Sequence, residues 1–308
     1  MHQLWTWVFE PGFFSSAPVR VAAVTGGVAA VVSAVTGVFT VMRGQSFGGH
    51  ALGDVSAAGG SGALLVGLNP LLGFVGLGII GAGVMDTIGV RRVRGRDLAT
   101  GIVLGAAIGL SALFLYLTSV SGATTGAPAQ ILFGSIFTIT SATIPAVVIL
   151  SVIAVASIAA VWRPLLLSSV SPDLAAARGV PVRLVGLLYM LALAVSVGLS
   201  SLAVGAILST ALLIGPAATA LRLTRTVGWA LAVACLLGAG ATWLGILLAY
   251  DSYYWSAAHQ GLPVSFFIVA VIFAGYLFSG FPAARAAAGR RDAAVPPPAS
   301  PAHEKIAA

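Results

Sequence analysis

Charge is what this sequence has least of. Asp, Glu, Lys and Arg together make up 7% of its 308 residues, against 59% hydrophobic residues. That is too little polar surface to cover a soluble domain of this size, so most of the chain must face lipid or its own core. Lysine occurs once, at Lys305, so no G-x-x-x-x-G-K-[ST] phosphate loop is present and any ATP-driven step needs another subunit. Cys235 is the sole cysteine, which excludes an internal disulfide and a thiolate metal cluster and leaves it as a small packing residue. An H-E-x-x-H pair is also missing, as is any sequence repeat of fixed period.

What the chain has instead is a succession of apolar runs near the ~20 residues that a membrane-crossing helix needs. Eight or nine spans are expected in one all-helical polytopic bundle. Their boundaries fall near 20–42, 50–67, 70–90, 97–119, 137–162, 182–201, 203–224, 228–250 and 264–283. The second and third are separated only by Asn69-Pro70 and could merge into one broken helix. Residues 1–19, aromatic and interrupted at Pro11-Gly12, suit an extracytoplasmic interfacial segment, and the proline-rich 285–308 suits a disordered cytoplasmic tail.

Basic residues favour the cytoplasmic side of a membrane. With nine spans and the N-terminus outside, the inner segments hold every basic residue except Arg20, including the cluster Arg91, Arg92, Arg94 and Arg96. The net charge of +7 therefore reads as an orientation signal and needs no nucleic acid. Asp86 and Asp97 flank the cluster and can pair with it. The 38 glycines, many at small-xxx-small spacing, indicate closely packed helices.

Three stretches carry possible chemistry. His50 and Asp54 lie at i, i+4 near the start of the second span, on one helix face and with no basic neighbour inside it. A charge at the bilayer centre costs roughly 2.5–3.5 kcal/mol on insertion scales, so it is kept for a reason. The pair suits either a local hydrogen-bonded packing contact or a way station for a cation such as zinc, manganese or iron. In "SSVSPDLAAARGVPVR", Ser171 can cap a short helix, Pro172 fits its first position, Asp173 favours its N-terminus, and Gly179 can stop it after Ala177 and Arg178. Such a helix, near 172–178 and outside the membrane, suits docking or rest on the bilayer surface. Finally, Ser209 and Thr210 place hydroxyls in mid-span, and Gly215-Pro216 interrupts the same span, serving helix packing or a transport route.

These stretches resemble the membrane permeases of zinc, manganese and iron ABC importers, the ABC-3 family. The likeness rests on "GQSFGGHALGD" (44–54), "LFGSI" (132–136), "WRPLLLSSVSPDLAAARGVPVRL" (162–184) and "VGAILSTALLIGPAATA" (204–220). The resemblance implies a permease in a prokaryotic plasma membrane that pairs as a dimer and has no enzymatic activity or bound cofactor of its own. It further implies that cytoplasmic ATPase subunits dock on the helix from Asp173 to Gly179 and that an extracytoplasmic metal-binding lipoprotein delivers the ion. In the family the first motif reads like G-D-A-L-S-H-A, with acid before histidine. Here it reads Gly49-His50-Ala51-Leu52-Gly53-Asp54-Val55, so the two ligand types have exchanged places, and the family's proline-glycine further on is Ala58-Gly59. A permease for a chelated metal or other solute, an ion-gradient-driven transporter and a non-transporting scaffold are the alternatives.

Overall fold

The computed structural model describes residues 13, 16–89, 93–121, 126–134, 136–255 and 261–293. Among these residues every regular element is helical. In chain order they are α1 (Ala17–Met42), α2 (Ser46–Leu65), α3 (Pro70–Gly89), α4 (Val93–Val120), α5 (Ala127–Phe133), two 3-10 turns (Ile136–Thr138 and Ser141–Thr143), α6 (Ile144–Ala160), α7 (Trp162–Val170), α8 (Pro172–Ala177), α9 (Val182–Val204), α10 (Ala206–Leu223), α11 (Val227–Trp255) and α12 (Val264–Ala293).

Helices α1 and α9 form the centre. Their contact is partly polar: Thr36 Oγ1 and Ser196 Oγ lie 2.8 Å apart, Ser196 donates to Ser33 Oγ, and Thr40 Oγ1 lies 2.8 Å from the hydroxyl of fully buried Tyr189. Hydrogen bonds of this kind between membrane helices contribute on average about 0.6 kcal/mol each, and they fix the register of two otherwise smooth helices. On one side α2 packs among α3, α4, α9 and α10; on the other, α10 and α11 close against α1, and α12 packs on α10 and α11. Glycine allows the tightest crossings. A Cβ at Gly59 of α2 would lie 2.0 Å from the Gly73 carbonyl oxygen of α3. The chain thus runs straight through Ala58-Gly59, where a bend could have been expected, because Gly59 is the seat for α3.

Seven helices are long and apolar enough to cross a membrane among the described residues, fewer than the eight or nine expected. Helix α2 has the length but carries His50, Asp54, three serines and several glycines, and α12 is apolar over Val264–Gly280 among the residues whose side chains are described. Several boundaries also moved. Helices α2 and α3 stay separate because Gly67, at φ 72°, ends α2 with its N–H bonded to Leu64 and that of Leu68 bonded to Ala63, while Asn69 Oδ1 accepts from Leu71 at the start of α3. The fifth span begins at Ser141 instead of 137, since α5 and the 3-10 turns occupy the segment before Pro145. The aromatic "DSYYW", expected in an outer loop, continues α11 to Trp255, and α12 runs past 284 to Ala293 because "AARAAAGRRDA" favours helix. Most of the interfacial segment (1–12, 14 and 15), residues 294–308 of the tail, and Arg91 and Arg92 lie outside the described residues. So do the side chains of Arg94, Arg96 and Asp97, and with them the expected pairing with Asp86.

Helices α9 and α10 are separated by Gly205 alone. Ser196 on α9 and Leu213 on α10, about equally far from that glycine, meet the adjacent residues Thr36 and Gly37 of α1, so the chain doubles back there as a one-residue hairpin.

Candidate metal pathway

Helix α2 leaves the α1 corner through Gly44 and presents Gly49, His50, Gly53 and Asp54 along the side that meets α10. A Cβ at Gly49 would lie 2.8 Å from Leu213 Cδ2, and one at Gly53 would lie 3.2 Å from Ser209 Oγ. The two glycines let α10 approach closely enough for its hydroxyls to reach the pair. His50 Nδ1 and Thr210 Oγ1 are 2.9 Å apart, while His50 Nε2 lies 3.7 Å from Asp54 Oδ2, beyond hydrogen-bonding distance. Asp54 Oδ2 is buried and has no hydrogen-bond partner.

The pair is therefore tied to α10 through Thr210 and not to itself by a hydrogen bond. A packing contact would close the imidazole onto the carboxylate. Instead, Thr210 holds the ring by Nδ1, and Nε2 stands 3.7 Å from the carboxylate without a hydrogen bond. The His50 side chain is 42% exposed and that of Asp54 17%. Imidazole nitrogen beside carboxylate oxygen suits first-row divalent ions, and an outer partner that fixes the ring orientation is a common feature of such sites. Among the described residues no group of three or more His, Cys, Asp or Glu side chains comes together, so one chain offers two ligands and no closed cage.

The other residues singled out in the sequence divide into three places. Thr210 joins His50, and Ser209 is buried under Gly53 with its hydroxyl donated to the Ala206 carbonyl, which makes it a packing neighbour of the pair. Pro216 lies elsewhere. Helix α10 passes through Gly215-Pro216 unbroken, Gly215 is pressed against Ile272 of α12, and Pro216 lines an apolar cavity of about 200 Å³ with Thr219, Leu237 and Gly240. Asp173, Ala177, Arg178 and Gly179 are on α8 and its end. There the Ser171 hydroxyl accepts from the Leu174 N–H at 3.3 Å, Asp173 occupies the first turn, and Gly179 at φ 79° closes the helix, with Val180 N–H bonded to the Ala175 carbonyl. Leu174 at the tip of α8 is exposed.

The sequence profile of the ABC 3 transport family matches residues 16–278, which takes in α1 through the first half of α12. The chain belongs to that family. Relatives include the manganese transport system membrane protein MntC of Listeria innocua, 29% identical over 276 residues that span 88% of this chain and 97% of that protein. The high-affinity zinc uptake system membrane protein ZnuB of Haemophilus influenzae is 28% identical over 70% of this chain and 83% of its own. Among solved structures, PsaBC from Streptococcus pneumoniae in complex with Fab matches with a TM-score of 0.74 and 25% identity, over 87% of this chain and 92% of that one. The sequence resemblance and the family assignment agree, and the chain is a multi-pass membrane permease.

Sequence reasoning missed the residues that hold the site's frame. Gly67 carries no expected role in the sequence, Gly134 enters only within the "LFGSI" stretch, and Arg43 only among the basic residues. A glycine two residues beyond an apolar run is the one local signal that could have marked Gly44 and Gly67 as helix stops.

Proposed function

We infer that the chain is the permease subunit of an ATP-binding-cassette importer moving a divalent transition-metal ion, zinc, manganese or iron, by alternating access across a prokaryotic plasma membrane. One observation carries the reading: the imidazole and carboxylate of His50 and Asp54 stand 3.7 Å apart on one partly exposed side of α2 without a hydrogen bond, with Thr210 orienting the ring. The names of the relatives, manganese and zinc permeases, support the same cargo. Two ligands per chain are enough to receive an ion and weak enough to release it, as conduction requires. A second copy across a two-fold axis would bring the total to four.

In this reading nine helices cross the membrane. Helix α2 can do so despite its polar composition because α3, α4, α9 and α10 surround it. The N-terminus is outside and the C-terminus cytoplasmic, which places the α1–α2 corner, α7 and α8 inside. Cytoplasmic ATPase subunits dock on α8, and a metal-binding lipoprotein supplies the ion from outside. The subunit performs no covalent chemistry.

The test is uptake of radiolabelled manganese and zinc into proteoliposomes that contain the permease and its ATPase, with and without a chelator. Free-ion uptake that requires ATP supports the reading; uptake only of the chelate would assign a different cargo. The docking role of α8 has its own test in Gly179→Val. Nothing lies within 4 Å of a Cβ at that position, so the substitution acts through backbone strain alone, on the order of 1–3 kcal/mol in a left-handed conformation. The variant is expected to insert normally and to lose ATP-driven uptake. Normal uptake with normal ATPase stimulation would remove α8 from the coupling route.

A further inference from the structure

Arg43 sits where three parts of the molecule meet. It caps the C-terminus of α1, and the turn after it is closed by two backbone bonds, Gly44 N–H to the Val41 carbonyl at 3.1 Å and Gln45 N–H to the Thr40 carbonyl at 2.9 Å, with Gly44 at φ 61°. This is the six-to-one and five-to-two pattern of a rigid glycine stop. The Gln45 carbonyl then accepts from Gly49 in the first turn of α2. The end of α1 and the start of α2 are therefore one stiff corner with no loop to absorb movement, and His50 lies in the next turn of α2.

The arginine side chain reaches from that corner to α7. Its Nη1 donates to Ser168 Oγ at 3.1 Å and stands 3.5 Å from Ser169 Oγ. Both serine hydroxyls give their own protons to the Leu165 carbonyl, which leaves their lone pairs for the guanidinium. The guanidinium carbon also lies 5.0 Å from the ring centroid of Tyr189 on α9, in cation–π range, and the Tyr189 hydroxyl is bonded to Thr40, whose carbonyl closes the glycine stop. Helix α7 ends at Val170 and Ser171 caps α8, so the serines gripped by Arg43 directly precede the cytoplasmic helix.

We propose that Arg43 is the positioning residue through which movement of α7 and α8 reaches the His50–Asp54 helix. The inference rests on the reading of α8 as the docking element for an ATPase. A planar guanidinium held at Ser168, Ser169 and Tyr189 has little freedom to slacken, so a shift of α7 pulls the corner, and α2 turns His50 relative to Thr210. A flexible or apolar side chain of equal length would let α7 move while α2 stayed behind.

The experiment reads metal ions taken up per ATP hydrolysed by the full complex in proteoliposomes, for wild type, Arg43→Met, Arg43→Lys and the double variant Ser168→Ala/Ser169→Ala. Arg43→Met is expected to lower this ratio by roughly 5- to 150-fold, the usual span of a coupling between sites, while ATP hydrolysis persists. Arg43→Lys, which keeps a cationic donor, should recover part of the ratio, and the serine double variant should lower it even if Arg43→Met fails to assemble. An unchanged ratio in the assembled variants, or uptake and hydrolysis that fall in step, would overturn the proposal and leave Arg43 a packing residue. If wild type itself takes up no metal, the failure belongs to the cargo assignment beneath it.

Discussion

Asp54→Asn is expected to depress uptake of every divalent ion by roughly a hundredfold, about 2.7 kcal/mol, the scale of losing one charged contact at a half-closed site. The reason lies in the state of the carboxylate. Oδ2 is buried without a hydrogen-bond partner, and among the described residues the imidazole 3.7 Å away is its one ion-pair neighbour, so a cation beside it would offset much of its desolvation. Asparagine keeps the shape and removes the charge that would replace the ion's lost hydration. His50→Ala should act differently: it removes the softer ligand and leaves the carboxylate, so it should erode the preference for transition metals over magnesium and calcium more than it lowers total uptake. The exchanged variant, Asp at 50 and His at 54, keeps both ligand types on one face and restores the order typical of the family. It should transport better than either single variant, though its histidine will have left Thr210. Radiolabelled zinc and manganese uptake, corrected for the amount of inserted permease, measures all three. Full activity in both single variants would return the pair to a packing role.

The pair itself was legible in the sequence because i, i+4 spacing fixes a shared face whatever lies around it. Its surroundings were not. Thr210 is 160 residues away, and only the packing of α10 onto the glycines of α2 brings it to Nδ1. Ser209 and Thr210 looked equivalent in sequence, yet successive residues on a helix point about 100° apart, and one was buried under Gly53 while the other reached the imidazole. Pro216 looked like a break in a transport route. In place, its ring sits in a helix that continues past it, facing an apolar cavity between α10, α11 and α12.

The helices follow a similar division. Long apolar runs announced themselves, and the cap residues of α8 did too, because Ser171, Pro172 and Gly179 act within a few residues of themselves. Short helices such as α5 and α7 carry no periodic signal of their own and depend on what they rest against. Helix α2 was expected as the second span, at 50–67, and its polar composition fits a helix that spends its length among other helices, where hydropathy no longer reports on lipid contact.

The hairpin between α9 and α10 yields the largest expected effect on folding. Gly205 has φ 93° and ψ 157°, and Gly134, at the end of α5, has φ 76° and ψ 167°, a region open almost only to glycine. The two residues also touch. A Cβ on Gly205 would lie 2.4 Å from both the Gly134 nitrogen and the Leu132 carbonyl oxygen, and a Cβ on Gly134 would lie 2.6 Å from the Gly205 nitrogen. These are backbone atoms, which no side-chain rotation can move aside. Ala206 just beyond the hairpin shares a buried cluster with Ala57 of α2, and its carbonyl oxygen would lie 3.9 Å from a Cβ at Gly53, so the crossing also sets the level at which Ser209 and Thr210 meet the pair. Strain alone costs about 1–3 kcal/mol at such a position, and the clash adds to it, against a total stability on the order of 5–15 kcal/mol. Gly205→Ala and Gly134→Ala should therefore each lower the unfolding temperature in detergent by at least about 10 °C or prevent accumulation of the permease. Gly44, Gly67 and Gly179 also have positive φ but stand in open space, so alanine there should be several-fold milder, and Gly76→Ala, with regular helical backbone and nothing within 4 Å, should be neutral or slightly stabilising. Thermal unfolding followed by size-exclusion fluorescence would rank the six variants. If Gly134→Ala and Gly205→Ala behave like Gly179→Ala, the two chain segments do not cross in contact, and the depth at which α10 meets His50 must be set by another part of the bundle.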